Sequence, residues 1–451
     1  MHPATTSGHS RYPLVLVTLV LAGLALVATF CRYVDPYRIF SADRDAVHTA
    51  YPALHANLRL HKTHQVNLQR PDAIILGTST AIQGFPLDHP RFDGRRVYNL
   101  AMPLATMEEN ARLLRHALAN APIEDVVLSL DFLSFNAYAR TDGPAAGFVP
   151  GRLKGSPDGK AEIASDRLAA LLSLDALRAS VAVLRGAEGG THRVMTGLGG
   201  REDAEIRSRL ADGGHASNTR RIEAFFTDAV YLPAPHREFA FAANGTDSFF
   251  WFEDFLRTVH THELPATLVI GPSHARLPEL IHAMGLWPVL EDWKRRLVAG
   301  NERVAAEFDR APLALWDFSA PGPVTTEPFP APGDADTRMA GYYESIHFNQ
   351  RTGALVLDRI SSDDGARDVD RGGGDVDSPD REIEGDPTAR VGADAETASV
   401  PFGIRLTGAN LERVLAAIRG AQAVFRAADP ERSRELSDLV EGVVGDRFRT
   451  D

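Results

Sequence analysis

The sequence is short of cysteine and of clustered basic residues. Its single cysteine, Cys31, allows no intrachain disulfide and no cysteine-based metal site. No segment is dense in lysine or arginine, and the formal net charge is −12. Because nucleic-acid phosphates are bound by basic surfaces, we expect no nucleic-acid partner. Neutral or small substrates are therefore favoured, and no motif in the chain indicates a metal or a cofactor.

The 451 residues are too many for one minimal domain, and their composition is that of a folded globular protein, with 44% hydrophobic and 24% charged residues. Residues 361–400 are different, since they are acidic, rich in glycine and almost free of large apolar side chains. This composition predicts a disordered acidic linker. Residues 401–451 follow with two helical patterns, the second of which starts at Asp429 and Pro430.

The N-terminal segment contains an uncharged apolar run from Pro13 to Phe30. Its length matches the hydrocarbon thickness of a bilayer, so we predict a transmembrane anchor at 13–31 after a short segment at 1–12. A cleavable signal peptide is the alternative, although the segment lacks a clear small-x-small cleavage site. Arg11 and Arg32 flank the run on both sides, so flanking charge does not decide the orientation.

Residues 32–360 alternate short β-branched or apolar runs with amphipathic helical patterns. The runs "AIILG", "RVYNLA", "DVVLSLDF", "ATLVIGP" and "LALWDF" are typical of buried parallel strands. This order predicts an α/β fold with a doubly wound, about five-stranded parallel sheet. Residues 136–263 are too long for a loop and predict a helical insertion that could cover a site. Ligands of such sheets bind beyond the carboxyl ends of the strands.

Ser79 lies at such a strand end, in the stretch "LGTSTAIQG". It is either the cap of the following helix or a nucleophile beside the backbone N–H groups at a helix start. A second stretch, "GYYESIHFNQ", follows the last predicted strand and precedes a helix at 351–360. At the same sheet edge, His347 could accept the Ser79 proton while Glu344 orients the imidazole. The alternative is a surface loop that happens to contain a histidine.

Together these residues resemble the SGNH/GDSL hydrolase superfamily. The resemblance rests on Gly-x-Ser after the first strand, an Asn99 block after the second, and an acid-x-x-His pair before the terminal helix. With one N-terminal membrane helix, the layout is similar to membrane-anchored envelope proteins of the DltD type and of polysaccharide O-acetylation. The resemblance implies a cytoplasmic N-terminus at 1–12 and a flavodoxin-like domain on the periplasmic or extracytoplasmic side of the bacterial inner membrane. It also implies a multi-spanning membrane acyltransferase as a partner and an envelope glycan as the substrate.

The sequence departs from the family pattern at several positions. Thr78 replaces the aspartate of Gly-Asp-Ser, and Glu344 replaces the aspartate before the histidine. Ala101 stands where the family has an oxyanion-hole glycine, and its backbone N–H is the expected donor beside that of Ser79. The block "LSLDFLSFN" lacks the family's Gly-x-Asn-Asp pattern. Loss of one oxyanion donor typically costs about a hundred- to a thousandfold in rate.

Further polar residues follow other strands of the predicted sheet. Asp131 ends the third strand and either points into the site or caps the next loop. Ser273, His274 and Arg276 follow the fourth strand, where they either bind substrate or only begin a helix. With Asn99 and Ala101, they complete the candidate oxyanion and substrate-binding residues.

Two functions from different classes remain open. The first is a membrane-anchored serine esterase or O-acyltransferase that uses Ser79, His347 and Glu344 on an acyl ester of the envelope. The second is a catalytically inactive SGNH-fold protein that binds or assembles envelope glycans. A hydrogen bond between Ser79 and His347 would favour the first.

Overall fold

We describe the protein from a computed structural model, which defines residues 11–42, 53–139, 148–153, 157–186, 209–211, 213–243, 245–370 and 400–445. Helix α1, Arg11–Val34, contains the uncharged run. With a mean hydropathy of 2.7 over its most apolar window and almost complete exposure, it is long and apolar enough to cross a membrane. A single N-terminal helix of this kind is also what a signal sequence would show.

The strands of the described residues are β1 Ala73–Leu76, β2 Val97–Asn99, β3 Asp125–Leu130, β4 Ala242–Ala243, β5 Thr246–Asp247, β6 Ala266–Ile270, β7 Ala314–Asp317 and β8 Ile404–Arg405. Six of them form the main sheet, in the order β2-β1-β3-β6-β7-β8. The first five sheet members pair in parallel, whereas β8 pairs antiparallel with β7. The predicted parallel strands are therefore confirmed, and β8 makes the sheet mixed. The two-residue β8 is too short to give a strand signal in the sequence.

The helices that follow α1 are α2 Leu58–Gln69, α3 Ser79–Gly84, α4 Met107–Asn120, α5 Pro157–Leu172, α6 Leu174–Leu184, α7 Gly214–Phe226, α8 Ser248–Thr261, α9 Arg276–Ala283, α10 Trp287–Glu307, α11 Gln350–Asp370, α12 Leu411–Ala428 and α13 Pro430–Gly445. Helix α8 packs against α4 and α10, while α3 packs against α11. Right-handed crossovers on this strand order place the two groups on opposite faces of the sheet. The strand order reverses between β1 and β3, so this end of the sheet is where a ligand site is expected.

The segment predicted as a helical insertion, 136–263, contains α5, α6, α7 and α8. A π-helical turn, Thr227–Tyr231, and the small β4–β5 hairpin lie between α7 and α8. Because α8 packs with α4 and α10, it is the crossover helix between β3 and β6. Part of the predicted insertion thus belongs to the helical layer of the sheet, whereas α5 to α7, the π-helical turn and the hairpin are additions to that layer among the described residues.

The acidic linker predicted at 361–400 begins inside a helix. Helix α11 continues to Asp370, ten residues beyond the end predicted for it. Once its packed first half has formed, each further residue can add a backbone hydrogen bond, so the helix extends past the point where the composition changes. Residues 371–399 lie outside the described residues. Both predicted C-terminal helices are present as α12 and α13, and α13 packs against α7 and α9. The C-terminal segment is therefore attached to the helices above the carboxyl end of the sheet.

Candidate active site

The turn after β1 sets the position of Ser79. Gly77 has a φ of +142°, and a Cβ at this position would lie 2.8 Å from the Cβ of Ser129 on β3, so only glycine fits. Thr78 is the N-cap of α3, and its hydroxyl accepts a hydrogen bond from the Thr80 N–H. Ser79 is the first residue of the helix. Thr78 therefore performs the capping that one interpretation of the sequence assigned to Ser79.

The loop before α11 presents His347 to the same sheet edge. Tyr343 donates its N–H to the His347 carbonyl at 2.9 Å, and the Tyr342 hydroxyl donates to the Pro272 carbonyl after β6 at 2.8 Å. The ring of Phe348 lies so close to Gly84 at the end of α3 that a Cβ there would overlap it. This close approach joins the histidine loop to the helix that begins with Ser79.

Ser79, His347 and Glu344 form a connected hydrogen-bonded set. Ser79 Oγ lies 2.8 Å from His347 Nε2, although 268 residues separate the two in sequence. Glu344 Oε1 contacts Nδ1 of the same imidazole and also accepts the His347 N–H at 3.3 Å. Glu344 is fully buried and His347 is only 5% exposed, whereas Ser79 is half-buried. This arrangement can take a proton from Ser79 and hold the resulting imidazolium against a carboxylate.

The two expected oxyanion donors, the backbone N–H groups of Ser79 and Ala101, differ in their hydrogen bonding. The Ala101 N–H donates to Asn99 Oδ1 at 3.2 Å, and the Asn99 amide donates to the Ala81 carbonyl at 2.9 Å. Asn99 is fully buried, so it joins β2 to α3. Within the described residues, the Ser79 N–H at the start of α3 makes no hydrogen bond to a backbone carbonyl of another turn or loop. Ser79 therefore offers a backbone donor, while the Ala101 N–H is already occupied.

Asp131 lies beside the nucleophile turn. Its Oδ2 accepts hydrogen bonds from the hydroxyls of Thr78 at 2.6 Å and Thr80 at 2.8 Å, the two neighbours of Ser79. Its side chain does not cap the 3₁₀ helix Phe132–Phe135 that follows β3. Burial raises the pKa of Asp131, while the two hydroxyls and the nearby His347 act to lower that pKa. Asp131 thus holds the residues on both sides of Ser79.

His274, a candidate substrate ligand, is buried at 2% exposure. Its Nε2 lies 2.7 Å from the Glu327 carbonyl, and its Nδ1 accepts the Arg276 N–H at 3.1 Å, which requires the neutral Nε2–H tautomer. Burial lowers the pKa of His274 to about 4. Its backbone N–H donates to the Ser345 carbonyl at 3.1 Å. His274 therefore supports the histidine loop from behind.

The side chain of Arg276 also makes its hydrogen bonds inside the protein. Its guanidinium binds Glu223 of α7 at 2.8 and 3.0 Å and Glu435 of α13 at 3.1 and 3.3 Å. Ser273 is half-buried and does not cap α9, which begins at Arg276 after an Ala275 N-cap that makes no side-chain hydrogen bond. The hydrogen bonds of His274 and Arg276 are thus made within the scaffold, which corrects the substrate-binding alternative for these two residues.

Phe226 is a site residue that the sequence did not reveal. At the end of α7, its ring lies edge-on to the His347 imidazole with centroids 6.2 Å apart. Glu223, one turn earlier, forms the buried ion pair with Arg276 that fixes α7. The described residues in and around α7 carry no motif that could have indicated this contact. Part of the segment predicted as an insertion therefore covers the imidazole.

No protein-family model matches the chain, no curated protein is significantly similar to it, and no solved structure matches its fold.

Proposed function

We propose that the chain is a membrane-anchored, SGNH-like serine esterase or O-acyltransferase. The observation that carries the proposal is the 2.8 Å contact between Ser79 Oγ and His347 Nε2, with buried Glu344 on the other ring nitrogen. Ser79 meets Glu344 and His347 where the strand order of the sheet reverses, although 268 residues separate Ser79 from His347 in sequence. An isolated capping serine has no need of a base held in this way.

In the proposed reaction, His347 Nε2 takes the Ser79 hydroxyl proton while Oγ attacks the carbonyl carbon of an acyl ester. The oxyanion that forms is stabilised by the Ser79 N–H and the start of α3. The tetrahedral intermediate then expels the alcohol, which takes its proton from His347, and leaves an acyl ester on Ser79. His347 next deprotonates the acceptor, whose oxygen attacks the acyl carbon. The second tetrahedral intermediate expels Ser79 Oγ, which takes the proton back from His347 and restores the free enzyme.

The nature of the acceptor separates the two forms of this activity. Water would release a carboxylic acid and make the protein an esterase, whereas a glycan hydroxyl would make it an O-acyltransferase. The resemblance to envelope proteins supports a glycan substrate and an acyl supply from a multi-spanning membrane acyltransferase. Together with the apolar helix α1, it also supports an extracytoplasmic site on the bacterial inner membrane.

One observation favours the alternative of an inactive glycan-binding or assembly protein. The Ala101 N–H is engaged by Asn99 Oδ1, so the Ser79 N–H is the one backbone donor left of the two expected. Loss of one oxyanion donor costs about a hundred- to a thousandfold in rate. A weak but Ser79-dependent activity is consistent with the enzyme, and its complete absence would be consistent with the binding protein.

The test is labelling of the full chain in detergent with a fluorophosphonate, followed by mass-spectrometric location of the adduct. We expect the adduct on Ser79 and none at that position in Ser79→Ala, and we expect its rate of formation to fall by about a thousandfold or more in His347→Ala. Ser437→Ala is the matched control, because Ser437 is exposed on α13 and hydrogen-bonds only within that helix. An unlabelled but folded wild-type chain would leave the binding protein as the better proposal.

A further inference from the structure

Helices α5 and α6 lie against the carboxyl end of the apolar helix α1. Both pack on α1. A small apolar cluster, separate from the core of the sheet, joins Cys31, Ala176 and Ala179, with Val27 and Phe30 packed against it. Val27 and Phe30 belong to the uncharged run of α1. The side chains of α6 that touch this part of α1 therefore lie at the depth where a membrane-spanning α1 would leave the hydrocarbon.

The same two helices expose an apolar surface, which we call the leucine surface. It consists of Leu168 and Leu172 on α5 and Leu174 and Leu184 on α6, with exposures of 59%, 39%, 58% and 63%. Outside α1, eight large hydrophobic side chains of the described chain are exposed, and these are four of them. Large exposed apolar patches mark contact sites of soluble domains. An apolar surface on the helices beside α1 is therefore expected to be covered by another molecule.

Charged side chains accompany the leucines. Three arginines are exposed: Arg167 on α5, Arg178 on α6 and Arg185 directly after α6. Arginine can place its apolar stem along hydrocarbon while its guanidinium reaches the phosphates of lipid headgroups. Leucines and arginines side by side on a helix surface are typical of an interfacial helix, which buries its apolar side chains about 5–10 Å into the boundary between headgroups and acyl chains.

We propose that the leucine surface is embedded in the outer edge of the same bilayer that α1 enters. The surface lies on the two helices that pack against α1, and its occupant is the lipid itself. This inference rests on the proposed insertion of α1 and is independent of the chemistry at Ser79. It places the α/β domain against the membrane through three helices, so that the domain cannot rotate freely about a single anchor.

The test uses nitroxide spin labels on the full chain in lipid nanodiscs. Cys31→Ala removes the one native cysteine, and single cysteines then replace Leu174 and Leu184 of the leucine surface. Leu19→Cys on α1 reports the hydrocarbon, and Phe250→Cys on α8 is a matched reference, since Phe250 is 55% exposed but lies in the helical layer of the sheet. The measured quantity is the ratio of collision rates with oxygen, which concentrates in lipid, and with a nickel chelate, which stays in water.

We expect the ratio at positions 174 and 184 to approach that at position 19 and to exceed that at position 250 severalfold. Ratios at 174 and 184 equal to that at 250, with position 19 in lipid, would overturn the proposal and indicate another protein as the occupant. A water-like ratio at position 19 would overturn the proposal together with the anchor. Fluorophosphonate labelling of the same samples reports on Ser79 alone, so failure of the proposed chemistry is seen separately.

Discussion

Two stretches of this protein place polar side chains after parallel strands of one sheet, yet these side chains have different kinds of partner. After β1, Ser79 faces a histidine whose second nitrogen is held by a buried glutamate. After β6, His274 and Arg276 have buried partners of their own, namely a carbonyl and two glutamates. Both stretches end at the carboxyl edge of the sheet. The difference lies in whether the polar atoms are directed at one another or at the scaffold.

The comparison shows how a scaffold stretch can support a reactive one. The His274 N–H holds the Ser345 carbonyl, and the Tyr342 hydroxyl holds the Pro272 carbonyl, so the β6 loop fixes the loop that contains Glu344 and His347. Arg276 fixes α7, which covers the imidazole with Phe226. The stretch after β6 is thus a support for the site, and substitutions there should change stability before they change chemistry.

The largest effect should come from Glu344→Gln in the first stretch. The amide keeps the volume but cannot stabilise an imidazolium, and it can hold the wrong tautomer, so we expect the fluorophosphonate labelling rate to fall by about a thousandfold. Glu435→Gln is the control, because Glu435 is a half-exposed partner of Arg276. We expect Ser79 of this variant to be labelled at close to the wild-type rate. Equal rates for wild type and Glu344→Gln would remove Glu344 from the proposed mechanism.

Arg276→Gln should have the next largest effect, on stability. Removal of the guanidinium leaves Glu223 fully buried without its ion-pair partner, which we expect to lower the free energy of unfolding by about 3 kcal/mol. Urea denaturation measures this value. Arg295→Gln provides the contrast, since the exposed pair of Arg295 with Glu412 is screened by solvent and should contribute much less to the free energy of unfolding. Similar losses in the two variants would contradict the distinction between buried scaffold and surface.

The smallest of these effects concerns pH and His274. Because burial lowers its pKa to about 4 in the folded protein, the unfolded chain binds more protons below its ordinary pKa near 6.5. Stability should therefore fall as the pH decreases from 7, by about 2 kcal/mol at pH 5 from this residue. His274→Asn, which cannot take up the proton, should show a shallower dependence of the unfolding midpoint on pH. A slope identical to wild type would indicate that His274 does not titrate on unfolding.

Much of the fold could be predicted from the sequence. Five buried strands, the amphipathic helix after β2 and the two C-terminal helices each have a local pattern of apolar residues, and each is present. Strand β8 could not be predicted, since two residues give no periodicity and their pairing depends on β7. The early end predicted for α11 was wrong for a related reason, because composition does not report the packing from which a helix extends.

The candidate site was predicted less evenly. Ser79, Glu344 and His347 can be predicted as site residues because their types and order fit one chemistry, and the structure brings them into contact. Thr78 as the cap, the occupied N–H of Ala101 and the internal partners of Arg276 were not evident. A hydroxyl, a backbone N–H or a guanidinium has several possible partners, and the sequence does not say which one lies within reach.

By itself, the sequence determined the apolar helix at the N-terminus, the alternation of strands and helices, and the presence of a serine, a glutamate and a histidine at predicted strand ends. These properties depend on local composition and periodicity, which neighbouring residues fix. The tertiary structure alone decided which polar groups meet, that Phe226 covers His347, and that α5 and α6 pack against α1. Contacts between distant residues depend on how all the elements pack, because a hydrogen bond is formed or lost within about 1 Å.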